Sequence, residues 1–309
     1  MTKKILPLLG VLLVAVLIIS GCTDSDRDVK TSDNDGIVIN EFTVDPYRIN
    51  DDETALFSME IENIGGTTAT NVRLNLYGAE GWETAVNEIV YSSLDPPNIN
   101  LEPNTPGDFQ LADWELQAPD LPEGLVVPYN VKGRVRYHYH TTNSVSIPVY
   151  EKQEYTRRNQ IGADIESVNV VNVRAPVRVD IDPLDFIVFD TEDEEQTYSR
   201  RLIFINVGSG VPIGEIDGED VDGVITGTVK INGPAVFADC IGVTDGKEVE
   251  ISAGDIKIRR SDSIKKPCSI KIDKEAFGLS PTATVSLIMD LDYDYYVEQS
   301  VTVDVAGKK

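Results

Sequence analysis

The sequence predicts an all-β protein: two antiparallel β-sandwiches behind an N-terminal signal or anchor segment. Three observations carry this. From Gly36 onward apolar residues recur with a period of two, which is the signature of half-buried strands. Clusters of Gly, Pro, Asn and Asp break that pattern every few residues. The same opening and closing strand patterns also occur twice along the chain.

The N-terminus comes first. Lys3 and Lys4 precede a 15-residue apolar run, Ile5 to Ile19. That is shorter than the roughly 20 residues of a comfortable bilayer span. Ile19-Ser20-Gly21-Cys22 follows, then Thr23-Asp24-Ser25-Asp26. The layout is that of a secretory signal, with a cysteine at the cleavage point. It resembles the lipobox of prokaryotic lipoproteins. The resemblance implies removal of residues 1–21, lipidation of Cys22 and membrane attachment through that lipid. An uncleaved anchor is the alternative. Either way the remainder lies outside the cytoplasmic membrane, lipid-anchored at its outer face or at the cell surface. Residues 22–36 are acidic, contain a single large apolar side chain and read as a flexible tether.

The folded part follows. Ile37–Val44, Ala55–Glu62 and Asn71–Tyr77 read as strands, with Phe57, Met59 and Ile61 on one face. Gly65-Gly66, Asp95-Pro96-Pro97 and Pro103-Asn104-Thr105-Pro106-Gly107 read as turns. The first copy opens with Val44-Asp45-Pro46 and closes with Val135-x-Tyr137-x-Tyr139 and Val145-x-Ile147-x-Val149. The second opens with Ile181-Asp182-Pro183 and closes with Leu291-x-Tyr293-x-Tyr295 and Val301-x-Val303-x-Val305. This places one sandwich at 37–150, a linker at 151–175, and a larger sandwich with an insertion at 176–309. Helical candidates are short: Glu151–Arg158 and Lys274–Phe277.

The strand, Asn63-Ile64-Gly65-Gly66, and the strand Ala69–Leu74 resemble immunoglobulin-like modules of prokaryotic surface proteins, nearest to the CARDB type. Asn206, Gly208 and Gly210 match more loosely. The expected reason is positive φ at Gly, with Asn bonding its own backbone. Signal, acidic tether and two such modules together resemble archaeal envelope proteins. The resemblance implies a display or binding module.

Composition narrows the chemistry. The 309 residues carry 27 Lys+Arg against 52 Asp+Glu, a net charge of -25, with 41% hydrophobic residues. Cores are affordable in apolar material, while nucleic acid and anionic headgroups are disfavoured partners. Two His and three Cys leave little for His-based catalysis or zinc. Cys240 and Cys268 form an even pair outside the membrane, which favours a disulfide with Cα atoms about 4.4–6.8 Å apart. Two buried free thiols are the alternative. His138 and His140 share one strand face, with Tyr137 and Tyr139 facing the core.

Asp217, Glu219, Asp220 and Asp222 lie in a Gly-bounded stretch of hard oxygen ligands that suits calcium, or else form a solvated face. Asp290, Asp292 and Asp294 share one strand face. No nucleophile motif or unlike carboxylate pair points to catalysis, and no cofactor is implied. The expected function is non-catalytic: adhesion, envelope assembly or binding of an envelope protein or surface ligand. The partner-binding loops are expected in the second copy, around Asp217–Gly223 and Lys257–Pro267. Alternatives are an accessory or substrate-capturing lipoprotein of a transporter or secretion complex, and an enzyme with an unrecognised carboxylate site.

Overall fold

The structure is a computed structural model that describes residues 29–82, 88–100, 102–192 and 196–308. The signal segment and Cys22 lie outside the described residues. The chain is all-β, as expected. The first repeat contains β1 (Ile37–Asp45), β2 (Arg48–Asn50), β3 (Thr54–Asn63), β4 (Ala69–Tyr77), β5 (Ile89–Leu94), β6 (Phe109–Gln117) and β7 (Val126–Glu151). Between the repeats lie α1 (Lys152–Ile161) and β8 (Asn169–Val171). The second repeat contains β9 (Val177–Asp182), β10 (Ile187–Phe189), β11 (Thr197–Tyr198), β12 (Arg201–Asn206), β13 (Val211–Ile216) and β14 (Glu219–Asp222). It continues through β15 (Val224–Asn232), β16 (Ala235–Cys240), β17 (Glu248–Lys257), β18 (Ser263–Ile272), α2 (Lys274–Phe277) and β19 (Thr282–Ala306).

Alternation sets the layers. Phe57, Met59 and Ile61 of β3 are fully buried. They face Val72 and Leu74 of β4 and Val135 of β7 across one core. In the first repeat β1, β3 and β6 make one sheet, opposed by β5, β4 and β7. In the second, β9, β12, β18 and β11 make one sheet, opposed by β14, β13, β19 and β15. The arrangement is immunoglobulin-like.

The two sandwiches are not laid end to end. Strands β7 and β19 pair antiparallel from Thr282–Tyr150 to Ala306–Val126. The first half of β7 pairs with β4, and its last residues pair in parallel with β10 through Ile187–Val149. The first half of β19 pairs with β13 and β15, and its last residues pair in parallel with β2 through Asp304–Arg48. Each repeat therefore gives the end of its longest strand to the other. Val303 and Val305 pack in the first sandwich, and Val145, Ile147 and Val149 in the second, all fully buried. Each of the expected spans, 37–150 and 176–309, takes its final strand from the other.

The exchange has a local two-fold. By the repeat, Tyr137 matches Tyr293 and Tyr139 matches Tyr295. In the register Tyr139 faces Tyr293 and Tyr137 faces Tyr295, so the pseudo-axis falls on the His138–Asp294 pair. All four tyrosines are buried there, with ring centroids 5.5 to 6.4 Å apart.

The turns are built alike around these rings. Asn63 accepts from the Gly65 N–H (3.1 Å) and donates to the Thr67 and Leu94 carbonyls (2.9 and 2.8 Å). Asn206 accepts from the Gly208 N–H (3.2 Å) and donates to the Gly210 and Arg259 carbonyls (3.0 and 3.2 Å). The Thr67 N–H donates to Tyr139 Oη (3.3 Å) and the Gly210 N–H to Tyr295 Oη (2.9 Å). The expected positive φ is absent at Gly65, Gly66, Gly208 and Gly210. Space is the reason instead: a Cβ at Gly65 would strike the Tyr139 hydroxyl, and one at Gly208 would lie 2.5 Å from the Tyr295 hydroxyl.

Of the expected tether, 22–36, residues 29–36 are described. Its end is docked between the repeats. Ser32 N–H donates to the Ile64 carbonyl (2.9 Å), Asp35 accepts from Ser209 N–H (3.2 Å), and Arg178 donates to the Asp33 carbonyl (2.9 Å). The lead-in of the second repeat crosses the other way, with the Gly66 N–H donating to the Arg174 carbonyl (2.7 Å). Polar residues 32–35 pack because hydrogen bonds, not apolar burial, hold them.

The linker is ordered. Glu151 caps α1 by accepting from the Gln153 and Glu154 N–H groups (2.8 and 3.2 Å), and Gly162 closes it in the left-handed region. Glu154 sits between Arg157 and Arg158, whose hydrogen bonds lower its pKa to about 2. Strand β8 docks on β7.

Candidate functional site

The predicted residues can now be placed. Cys240 and Cys268 are disulfide-bonded, with Sγ atoms 2.05 Å apart. Their Cα atoms are 3.9 Å apart, closer than the expected range, because they stand directly opposite on β16 and β18. Both are fully buried in the core of the second sandwich.

The four acidic calcium candidates do not converge. Asp217 and Gly218, both at positive φ, form the two-residue turn between β13 and β14. Glu219, Asp220 and Asp222 then alternate along β14. Asp220 accepts two hydrogen bonds from Arg136 (2.6 and 3.1 Å), and Asp222 accepts from the Tyr296 hydroxyl (3.3 Å). No group of three or more His, Cys, Asp or Glu among the described residues is arranged to hold a metal ion. The calcium reading is therefore corrected: a hairpin takes the place of the expected chelating loop.

His138 and His140 face outward, and Tyr137 and Tyr139 inward. The three aspartates Asp290, Asp292 and Asp294 share the histidines' face and lie directly opposite Thr142, His140 and His138. Asp294 is 3.1 Å from His138 Nδ1, Asp292 is 2.9 Å from His140 Nδ1, and Thr142 donates to Asp290 at 2.7 Å. Arg136 also donates to Asp294 (2.9 Å), and Arg134 to Glu298 (2.7 Å) with its guanidinium over Tyr77 and Tyr296. This face is a cross-strand clasp between the repeats. Exposed pairs of this kind contribute about 0–1 kcal/mol each, so register rather than bulk stability is their main effect. The residues were visible in the sequence; their pairing required the strand exchange.

Few carboxylates are perturbed. Every carboxylate with a resolved shift among the described residues is shifted downward: Glu53 by its Asn50 hydrogen bonds, Glu154 by Arg157 and Arg158, and Asp190 by Lys152. Lowered values keep these three groups ionised. The raised groups are the buried tyrosines. Burial pushes Tyr137 and Tyr293 well above the usual phenol value and raises Tyr139 and Tyr295 as well.

Two clefts are roomy. One of about 590 Å³ lies along β15 and β17, by Thr226, Glu248, Glu250 and Asp292. Another of about 840 Å³ lies between the 95–108 excursion of the first repeat and Arg174. It is lined by Thr68, Asp95, Asn98, Thr105 and Asp108, with proline rings between them. No local sequence pattern marks this cleft, because Arg174 reaches it only through the crossed lead-in.

No protein-family model and no curated protein matches this chain. Among solved structures, one of carbohydrate-binding modules from the β-sandwich superfamily is 11% identical. It covers 88% of this chain and 96% of its own, at a TM-score of 0.14. The collagen adhesin CNA from S. aureus is 8% identical and covers 91% of this chain and 96% of its own, at a TM-score of 0.12.

Proposed function

We propose that the chain is a non-enzymatic, lipid-anchored envelope protein that displays a rigid pair of immunoglobulin-like sandwiches for binding. The observation that supports the reading most is the double interlock of exchanged strands and crossed lead-ins. It makes a stiff platform whose loops keep fixed separations at the end of a tether. Loops on rigid sandwiches are a common place for recognition. The docked residues 32–35 lie beside the tyrosine hydroxyls, on the side of the sheet opposite His138 and His140. The buried disulfide suits an extracytoplasmic location.

Affinity capture from native membranes, with residues 23–309 as bait, tests the binding role. A saturable envelope partner is expected. Recovery of no partner above a scrambled-surface control, or turnover of a substrate by the purified protein, overturns the reading. Intact mass of the membrane-extracted protein tests the anchor: a chain starting at a lipidated Cys22 is expected, and any other N-terminus contradicts it.

A further inference from the structure

We propose that the cleft between the 95–108 excursion and Arg174 binds an acidic saccharide, a polyhydroxylated ring bearing a carboxylate. The proposal rests on the display and binding reading and names the ligand class for it. Its volume of about 840 Å³ falls within the roughly 300–1,000 Å³ usual for small-molecule sites.

Arg174 is the first observation. It is half-buried on the wall, with its backbone carbonyl held by the Gly66 N–H. Among the described residues its guanidinium has no hydrogen bond and no carboxylate partner, and its charge acts on the Tyr139 phenol. A cation that has lost part of its hydration without gaining an anion is a site prepared for one. A planar carboxylate matches the guanidinium fork in two parallel bonds.

The opposite wall is the second. Thr68 donates to one Asp95 oxygen (2.8 Å), and the Asp95 N–H donates to one Asp108 oxygen (3.0 Å). Each carboxylate keeps a second oxygen outside these bonds. Asn98 accepts from the Asn100 N–H (3.1 Å) through Oδ1, which leaves its Nδ2 donor. Acceptors and donors thus alternate along the wall, as vicinal hydroxyls require. Pro96 and Pro106 offer apolar surfaces for the C–H face of a ring.

The wall is also rigid before any ligand arrives. The backbones of Asn98 and Thr105 bond each other twice (2.9 and 3.0 Å), and the Asp108 N–H donates to the Asp95 carbonyl (2.9 Å). Prolines restrict the same stretch. Little ordering entropy remains to be lost on binding.

Calorimetry of residues 23–309 with trigalacturonate, and with maltotriose as the neutral probe, tests this. Trigalacturonate is expected to bind, and maltotriose to bind at least about tenfold more weakly. Arg174→Gln is expected to cost trigalacturonate affinity about tenfold or more, and Asn98→Ala less, both with an unchanged melting temperature. Arg174→Lys covers the case in which Arg174→Gln unfolds, and should retain weakened binding. Absence of trigalacturonate binding, equal affinity for maltotriose, or unchanged affinity in the folded Arg174 variants overturns the assignment. Envelope capture with the same proteins separates the two readings: capture without saccharide binding removes the ligand class and leaves the display role standing.

Discussion

Asn206→Ala is the sharpest probe of the junction. The side chain is buried and makes four hydrogen bonds: to the Gly208 N–H, the Gly210 and Arg259 carbonyls, and the Tyr295 hydroxyl, which donates to it at 2.9 Å. Alanine removes all four and fills none of the gap. A net hydrogen bond contributes about 0.5–1.5 kcal/mol, and a buried partner left unpaired costs about 1–3 kcal/mol. Tyr295 Oη keeps its bond from the Gly210 N–H, so the loss is partial there. The expected destabilisation is about 3–5 kcal/mol. In a cooperative unit this large, that corresponds to a fall in melting temperature of roughly 6–10 °C. Urea unfolding followed by far-UV circular dichroism measures it, with a lower midpoint and an unchanged slope expected. A loss below about 1 kcal/mol would refute the claim that this turn is a fixed point of the fold.

Other outcomes follow from the same junction. Gly65→Ala should destabilise by about 1–3 kcal/mol, because its Cβ meets the Tyr139 hydroxyl and the Asp35 carbonyl; a neutral result in a thermal melt would contradict the packing. Removal of residues 297–309 should expose Trp82 and Trp114, both in the first repeat, since β19 closes that sandwich; unchanged tryptophan emission would contradict the exchange. At high pH the raised pKa of each buried tyrosine works against folding. Their contribution is fully present below the ordinary phenol value of 10.0 and is lost as pH rises through the higher folded values. Tyrosinate absorbance from this cluster should therefore appear together with loss of circular dichroism, and free titration in the folded protein would contradict the burial.

Much of the fold was legible in the sequence. Alternation at Phe57, Met59 and Ile61, and at Tyr137 and Tyr139, reports which faces are buried, because a pleated strand sends every second side chain inward. The repeat was legible too, down to the Asp-Pro openings and the paired tyrosines. The strand exchange was not. Thr141 and Asn143, polar residues between the two closing patterns of the first copy, are fully buried where β7 crosses from one sandwich to the other. Asn143 Oδ1 accepts there from the Val173 N–H of the second lead-in (3.2 Å). Composition shows polarity, not the partner that satisfies it. The acidic stretch at Asp217–Asp222 misled for a related reason. Spacing alone does not separate a chelating loop from a hairpin whose strand sends neighbouring carboxylates to opposite faces. The Arg174 cleft left no local signal, since its two walls are far apart in sequence and meet only through the crossed lead-ins.

Reduction of the Cys240–Cys268 bond tests the interlock most directly. The bond closes a separation of 28 residues, and its loss should cost roughly 3–4 kcal/mol in the chain-entropy treatment. It lies in the second repeat, whereas both tryptophans, Trp82 and Trp114, lie in the first. Unfolding of the reduced and oxidised ectodomain is followed by tryptophan fluorescence and by far-UV circular dichroism. If the repeats share their closing strands, reduction lowers both transitions together and they remain coincident. A tryptophan transition that stays in place while the circular dichroism signal splits in two would contradict the interlock.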